Sequence, residues 1–151
     1  MLRHVQRGST VVDVGWCGAR PRGAAAAGRL GSDHVGSYAV FFAAKVGPRG
    51  TVHCFEPQRK LAQIAVANAV INGFSDVIRV HNAALSYTPA KAHMAVRVPG
   101  GKINSRKAKR AKAKPRFFNY GGVSLGKAGE AVKVVTLDSF KLKDVSLIKL
   151  A

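Results

Sequence analysis

Three parts of the sequence carry residue types that could bind a nucleoside. Asp13 and Gly15 end a run of valines, Gly36 and Ser37 form a second pair, and Glu56 stands before a proline. Glycine lets the backbone approach a ligand that a Cβ would block. Free N–H groups at the beginning of a helix bind anions, and a carboxylate can accept hydrogen bonds from both hydroxyls of a ribose. Together these residue types indicate a nucleoside site.

The elements that must position these residues follow in the order strand, loop, helix, strand. A short valine run that ends in Asp-x-Gly is typical of a buried parallel strand that breaks into a loop. Residues 35–47 repeat apolar side chains at helical spacing and end at Gly47-Pro48, which predicts a helix. A second strand, Thr51 to Phe55, then leads to Glu56.

The spacing between the glycines and Glu56 indicates an insertion. Gly36 and Glu56 are 20 residues apart, which matches the roughly 20 residues expected between a glycine loop and its ribose acid. Gly15 is 41 residues before Glu56. We therefore interpret residues 16–34, rich in Gly, Ala and Arg, as a low-complexity insert in the loop.

The chain after Glu56 predicts another helix and strand. Apolar residues between 57 and 73 share one helical face, and Gly73 ends the helix. A third strand is expected over 77–81. Asn82 then lies at the carboxyl end of that strand, where ligands of open α/β sheets bind. Asn82 has two equally weighted interpretations, contact with an adenine edge or formation of a turn.

Three further strands complete the expected pattern. Alternation around Met94, Val96 and Val98 predicts a half-buried strand beside the main sheet. Strands are also expected over 132–137 and 145–150. The last is almost continuously apolar, which is typical of a central strand, and we expect its outer neighbours to be missing, so that it ends the sheet.

The chain is strongly basic, with 25 Lys and Arg against 7 Asp and Glu among 151 residues and a net charge of +18. Nine of these bases lie between Arg97 and Arg116, where there is no acid. Such a run is usually a solvated loop, and we interpret 100–116 as a basic loop. The sharper alternative is a nuclear-localisation signal or a weak nucleic-acid contact through Arg97 to Arg116.

Length and composition predict one domain with a core of ordinary size, since 47% of the residues are apolar. The two cysteines have no partner at metal-ligand spacing, so no metal site is expected. No apolar run approaches the roughly 20 residues of a membrane span, and residues 1–10 leave no room for a signal peptide. We therefore expect a soluble cytoplasmic protein, or a nuclear one if the basic run acts as a signal.

Seven short blocks follow one another along the sequence: Val11–Gly15, Val35–Tyr38, Phe55–Pro57, Asn68 with Asn72-Gly73, Asn82–Ser86, Gly121–Leu125 and Val135–Asp138. Together and in this order, they resemble the FkbM family of S-adenosylmethionine-dependent methyltransferases. The resemblance covers nearly the whole chain apart from residues 16–34 and about 100–116.

The resemblance implies a fold and a cofactor. The fold is α/β and Rossmann-like, a mostly parallel sheet with helices on both faces. The cofactor is S-adenosylmethionine, with Glu56 on the ribose and Gly36 and Ser37 at the methionine carboxylate. Asp13 either meets the methionine ammonium or orients the loop that begins at Gly15; a loop-capping Asp is its plainer interpretation. Asn82 completes the expected cofactor-binding set.

The resemblance also implies a reaction, methyl transfer to an alcohol oxygen of a small molecule or glycan. In the family the last strand leads into Asp-Val-Glu-Gly and further strands, whereas Ala151 stands at the position of that Asp. We therefore expect residues 1–151 to form a partial methyltransferase domain that lacks C-terminal strands and does not turn over substrate. No catalytic residue is assigned.

Two other classes of protein compete with this interpretation. An NAD-dependent dehydrogenase would need Gly-x-Gly-x-x-Gly, and the residues after Gly15 lack that pattern. A non-enzymatic nucleic-acid-binding protein on a degenerate Rossmann-like scaffold would depend on residues 97–116. Salt-sensitive binding of nucleic acid would favour this second class, whereas saturable binding of S-adenosylmethionine would favour the methyltransferase.

Overall fold

The computed structural model describes residues 4–15, 37–94, 125–126 and 128–150. The 16–34 insert, the 100–116 loop and Gly36 lie outside these residues. The described elements alternate strands and helices in the first half of the chain. In order they are β1 (Thr10–Val14), α1 (Ser37–Val46), β2 (Thr51–Phe55), α2 (Arg59–Ile71), β3 (Ile78–His81), β4 (Ala84–Leu85), β5 (Ala90–Met94), β6 (Leu125–Gly126), β7 (Glu130–Val135), a 3-10 helix (Leu137–Phe140) and β8 (Val145–Leu150).

The main sheet is parallel and has the strand order β3-β2-β1-β8. The helices α1 and α2 connect β1 to β2 and β2 to β3, as parallel neighbours require. An order that runs outward from β1 to β3 on one side, with a later strand on the other, is that of a Rossmann-like sheet. The expected α/β class with a mostly parallel sheet is therefore confirmed.

The two faces of the main sheet carry different layers. On one face, Val11 and Val52 pack with Phe42 and other residues of α1 and α2. On the opposite face, Val12 and Phe55 belong to a cluster that includes residues of the 3-10 helix. This division follows from the alternation of side chains along each strand.

In the described part of the chain, no helix has the length and apolar character needed to cross a membrane.

A second sheet has the order β4-β7-β5-β6 and a small core around Met94, Val132 and Val134. The expected strand over 132–137 corresponds to β7, which ends at Val135 because a 3-10 helix begins at Leu137. The strand expected around Met94 corresponds to β5, whose described residues are Ala90–Met94. Residues 95–98 lie outside the described part of the chain.

The strand expected over residues 145–150 corresponds to β8, and its expected place at the end of the sheet is confirmed for the residues that the structure describes. Within them, β8 pairs with β1 and ends the strand order of the sheet. Its side chains Val145, Ile148 and Leu150 are exposed. Apolar composition alone therefore does not require that both faces of a strand are covered.

Candidate functional site

The register of the main sheet aligns the carboxyl ends of three neighbouring strands. Val14 is opposite Phe55, and Phe55 is opposite His81. Gly15, Glu56 and Asn82, each the first residue after its strand, are therefore neighbours at one edge of the sheet. The carboxyl edge is where open α/β sheets bind ligands.

Glu56 is buried at this edge, with 3% of its surface exposed. Its Oε1 atom accepts a hydrogen bond of 2.7 Å from the backbone N–H of Gln58, and its own N–H donates to the carbonyl of His81 at 3.0 Å. Burial raises the pKa of this carboxyl to about 7, and the nearby Asp13 charge adds to the effect, whereas the Gln58 hydrogen bond opposes it. Its protonation state therefore changes near neutral pH.

Gly15 lies directly against this carboxylate. Its N–H donates to the carbonyl of Phe55 at 2.8 Å, which extends the ladder between β1 and β2. A Cβ at this position would be 2.6 Å from Oε2 of Glu56 and 3.0 Å from the Phe55 carbonyl oxygen. The glycine is therefore required by the close approach of the neighbouring strand end, and any larger residue would displace the Glu56 carboxylate.

Asn82 is exposed, and its amide NH2 group donates to two backbone carbonyls. The acceptors are Glu56 at 2.9 Å and Pro57 at 3.0 Å. These contacts hold the turn after β2 and so fix the backbone of Glu56. They agree with the turn-supporting interpretation of Asn82, while a contact with adenine stays a prediction.

Asp13 is two residues before Gly15, and its side chain lies on the sheet face that α1 covers. Its Oδ1 atom is 3.2 Å from Nζ of Lys149, and both side chains are buried. The same ammonium lies 4.8 Å from the centroid of the Tyr38 ring, within cation–π distance. Asp13 is therefore half of a buried ion pair that joins β1 to β8.

Sequence reasoning missed Lys149. The available signal was a single lysine in a strand that is otherwise mostly apolar. A charged side chain is rarely buried without a partner of opposite sign, so this pattern could have prompted a search for a buried acid.

Two of the expected cofactor-binding residues fall partly or wholly outside the described part of the chain. The helix α1 begins at Ser37, so its backbone lies at the expected helix N-terminus. Neither the Ser37 side chain nor Gly36 is described. A role for this pair at the methionine carboxylate stays a prediction.

A histidine pair lies on the other face of the sheet, and no histidine was given a role from the sequence. Nδ1 of His53 and Nε2 of His81 are 3.0 Å apart, and the rings are nearly parallel with centroids 5.1 Å apart. The pair is thus joined edge to edge by one hydrogen bond, with Phe140 against both rings. Burial, together with smaller contributions from the His81 and Arg79 charges, lowers the pKa of His53 to about 4.

The described part of the site fits a nucleoside cofactor in its chemistry. The Glu56 carboxylate has acceptor oxygens of the kind that bind ribose hydroxyls, and the neighbouring Gly15 has no side chain to cover it. Among the residues that the structure describes, no group of three or more His, Cys, Asp or Glu side chains is arranged to hold a metal.

No protein-family model and no curated protein match this chain. Among solved structures, it is similar to an S-adenosylmethionine-dependent O-methyltransferase from Thermotoga maritima, with 19% sequence identity and a TM-score of 0.38. The similarity covers 52% of this chain and 23% of that protein.

Proposed function

We propose that this chain forms the S-adenosylmethionine-binding part of a methyltransferase domain of the FkbM type, whose reaction is methylation of an alcohol oxygen of a small molecule or glycan. The observation that carries the proposal is the contact between buried Glu56 and Gly15 at the carboxyl ends of β2 and β1. A ribose-binding acid is expected at this position in a nucleoside-binding α/β sheet.

In this proposal Glu56 binds the ribose. Its ionised carboxylate accepts hydrogen bonds from the two hydroxyls, and the Gln58 and Asn82 contacts hold the turn that presents it. Because burial raises its pKa to about 7, the acid is ready to bind only at or above neutral pH. Cofactor binding is therefore expected to weaken on acidification.

Asp13 acts at the other end of the cofactor, beside the loop that starts at Gly15. Its buried pairing with Lys149 compensates much of its charge, which favours the interpretation that Asp13 positions this loop over direct binding of an ammonium. Gly36 and Ser37, at the N-terminus of α1, would receive the methionine carboxylate.

The cofactor supplies a methyl group that is already activated as a sulfonium. The protein then has to align the acceptor oxygen with the methyl carbon and exclude water. Deprotonation of the alcohol would need a general base, and none of the described residues is assigned this role.

Isothermal titration calorimetry with S-adenosylmethionine tests the proposal. Glu56→Gln keeps the shape of the side chain but removes a charged acceptor, and hydrogen bonds to charged groups contribute about 1.5 to 3 kcal/mol each. We expect affinity to fall at least tenfold. Asp76→Asn removes an exposed carboxylate that precedes β3, at the opposite edge of the sheet, and should leave affinity unchanged.

Two results would refute the proposal. One is saturable binding that Glu56→Gln leaves unchanged, which would place the cofactor elsewhere. The other is no binding by the folded parent chain at millimolar cofactor.

A further inference from the structure

The second sheet has a face whose charges the proposed methyltransferase does not use. Lys91 of β5 and Lys133 of β7 are directly opposite each other in an antiparallel pair, and both are exposed. His93 follows on the same face, opposite Ala131. Glu130 lies on the other face, because side chains alternate along a strand, and pairs there with Arg59.

The pairing of two lysines has an energetic consequence. Directly opposite residues in an antiparallel pair have Cβ atoms about 4.5 to 5.5 Å apart, and like charges at that distance destabilise the sheet. Among the strand residues that the structure describes on this face, there is no carboxylate to offset the two ammonium groups. An anionic partner bound across both lysines would remove the repulsion.

An exposed aromatic side chain lies in the loop that leads into the strand of Lys91. Tyr87, 93% exposed, is in the loop from β4 to β5. The N–H of Ser86 donates to the carbonyl of Val135 at 2.9 Å, which holds the start of this loop at the end of β7. The loop then enters β5 next to Lys91. Basic side chains beside an exposed aromatic ring are the combination that binds single-stranded nucleic acid, through phosphates and base stacking.

The charge of the chain and the packing of this face favour nucleic acid over a membrane. The sequence between β5 and β6 contains nine bases and no acid from residue 97 to residue 116. The apolar residues on the lysine face, Leu85 and Val135, pack into the core around Phe55 instead of facing solvent. A membrane-inserting surface would need exposed apolar side chains beside the charges.

We propose that Lys91, Lys133 and Tyr87 form a contact surface for single-stranded nucleic acid. The two ammonium groups bind phosphates, and the Tyr87 ring stacks on a base. This surface shares no residue with the site at Glu56, so either proposal can hold without the other.

Fluorescence anisotropy with a labelled single-stranded RNA of about 20 nucleotides, titrated between 50 and 200 mM salt, tests the surface. Each phosphate contact on a single strand contributes about 0.7 to the slope of log affinity against log salt. The double variant Lys91→Gln/Lys133→Gln should therefore lower the slope by about 1.4. With 1 M salt as the reference, the same relation gives a loss of affinity of roughly 14-fold at 150 mM salt.

A matched variant separates a local contact from the general charge of the chain. Lys45→Gln/Lys60→Gln makes the same charge change at exposed positions on α1 and α2, and it should change affinity less than twofold. Tyr87→Ala should weaken binding about fivefold or more, since stacking on an aromatic side chain has at least that effect. Tyr87→Phe, which keeps the ring, should bind like the parent.

Several outcomes would overturn the proposal. Equal losses from the two lysine pairs would mean that total charge, and not this surface, binds RNA. Unchanged affinity for Tyr87→Ala would show that the Tyr87 ring does not stack on a base. Binding to phosphatidylserine vesicles without binding to RNA would assign the surface to membranes. Circular dichroism of each variant, together with Lys91→Arg/Lys133→Arg as a charge-retaining version, separates lost contacts from lost folding.

Discussion

The ion pair between Asp13 and Lys149 should be a main determinant of stability at the site. The two charged atoms are 3.2 Å apart, and the side chains are only 5% and 8% exposed. At an effective dielectric constant near 20, two charges at this distance attract by about 5 kcal/mol before the cost of desolvation. Lys149→Met retains an apolar stem of similar length but leaves Asp13 buried without this cation.

We expect Lys149→Met to lower the free energy of unfolding by about 3 to 5 kcal/mol, the usual cost of removing one partner of a buried pair. Asp13→Asn should be destabilising for the same reason, because it leaves a buried ammonium. The double variant removes both charges, so it should cost no more than either single variant. The matched control is Lys143→Met, a similar change at an exposed lysine, which should remain within about 0.5 kcal/mol of the parent.

Urea denaturation of the four variants and the parent at pH 7.5 measures these differences. The double-mutant cycle isolates the coupling between the two residues, provided that the m-values agree. A loss of less than about 1 kcal/mol for Lys149→Met would show that the pair does not stabilise the fold. A double variant whose cost equals the sum of the two single costs would refute the coupling itself.

Three further predictions concern titratable groups. The folded pKa of Glu56, raised to about 7, makes stability fall as pH rises from about 4.5 to 7. Glu56→Gln should abolish this fall, which urea midpoints across that range would measure. The contribution of His53 to the pH dependence of stability has the opposite sign. Its folded pKa, lowered to about 4, gives stability that is present above pH 6.5 and lost as pH falls toward 4. His53→Gln should reduce this loss. The buried Cys54 thiol, whose pKa burial raises to about 12, should react with a thiol reagent at pH 8 more than tenfold more slowly than a free thiol unless the protein is unfolded.

The sequence predicted best where local patterns determine the structure. The strand Thr51–Phe55 was predicted with the bounds that the structure has, because a β-branched and aromatic run is enclosed there by glycine and proline. The helices α1 and α2 also lie inside their predicted ranges. Their apolar spacing and the glycines at their ends are local signals.

Features that depend on distant pairing were not predicted. Lys149 and Asp13 are brought together by the pairing of β1 with β8, and nothing near either residue specifies that pairing. The hydrogen bond between His53 and His81 likewise depends on the register of two strands 28 residues apart. The second sheet was missed for the same reason, since its strands are short and their partners are far along the chain.

The affinity for S-adenosylmethionine as a function of pH tests the central claim most directly. If Glu56 binds the ribose in its ionised form, calorimetry between pH 5.5 and 7.5 should show affinity falling on acidification below pH 7, approaching tenfold per pH unit. Glu56→Gln should bind more weakly and with almost no dependence on pH in this range. The same pH dependence in the parent and in Glu56→Gln would contradict the assignment of Glu56 as the ribose-binding acid.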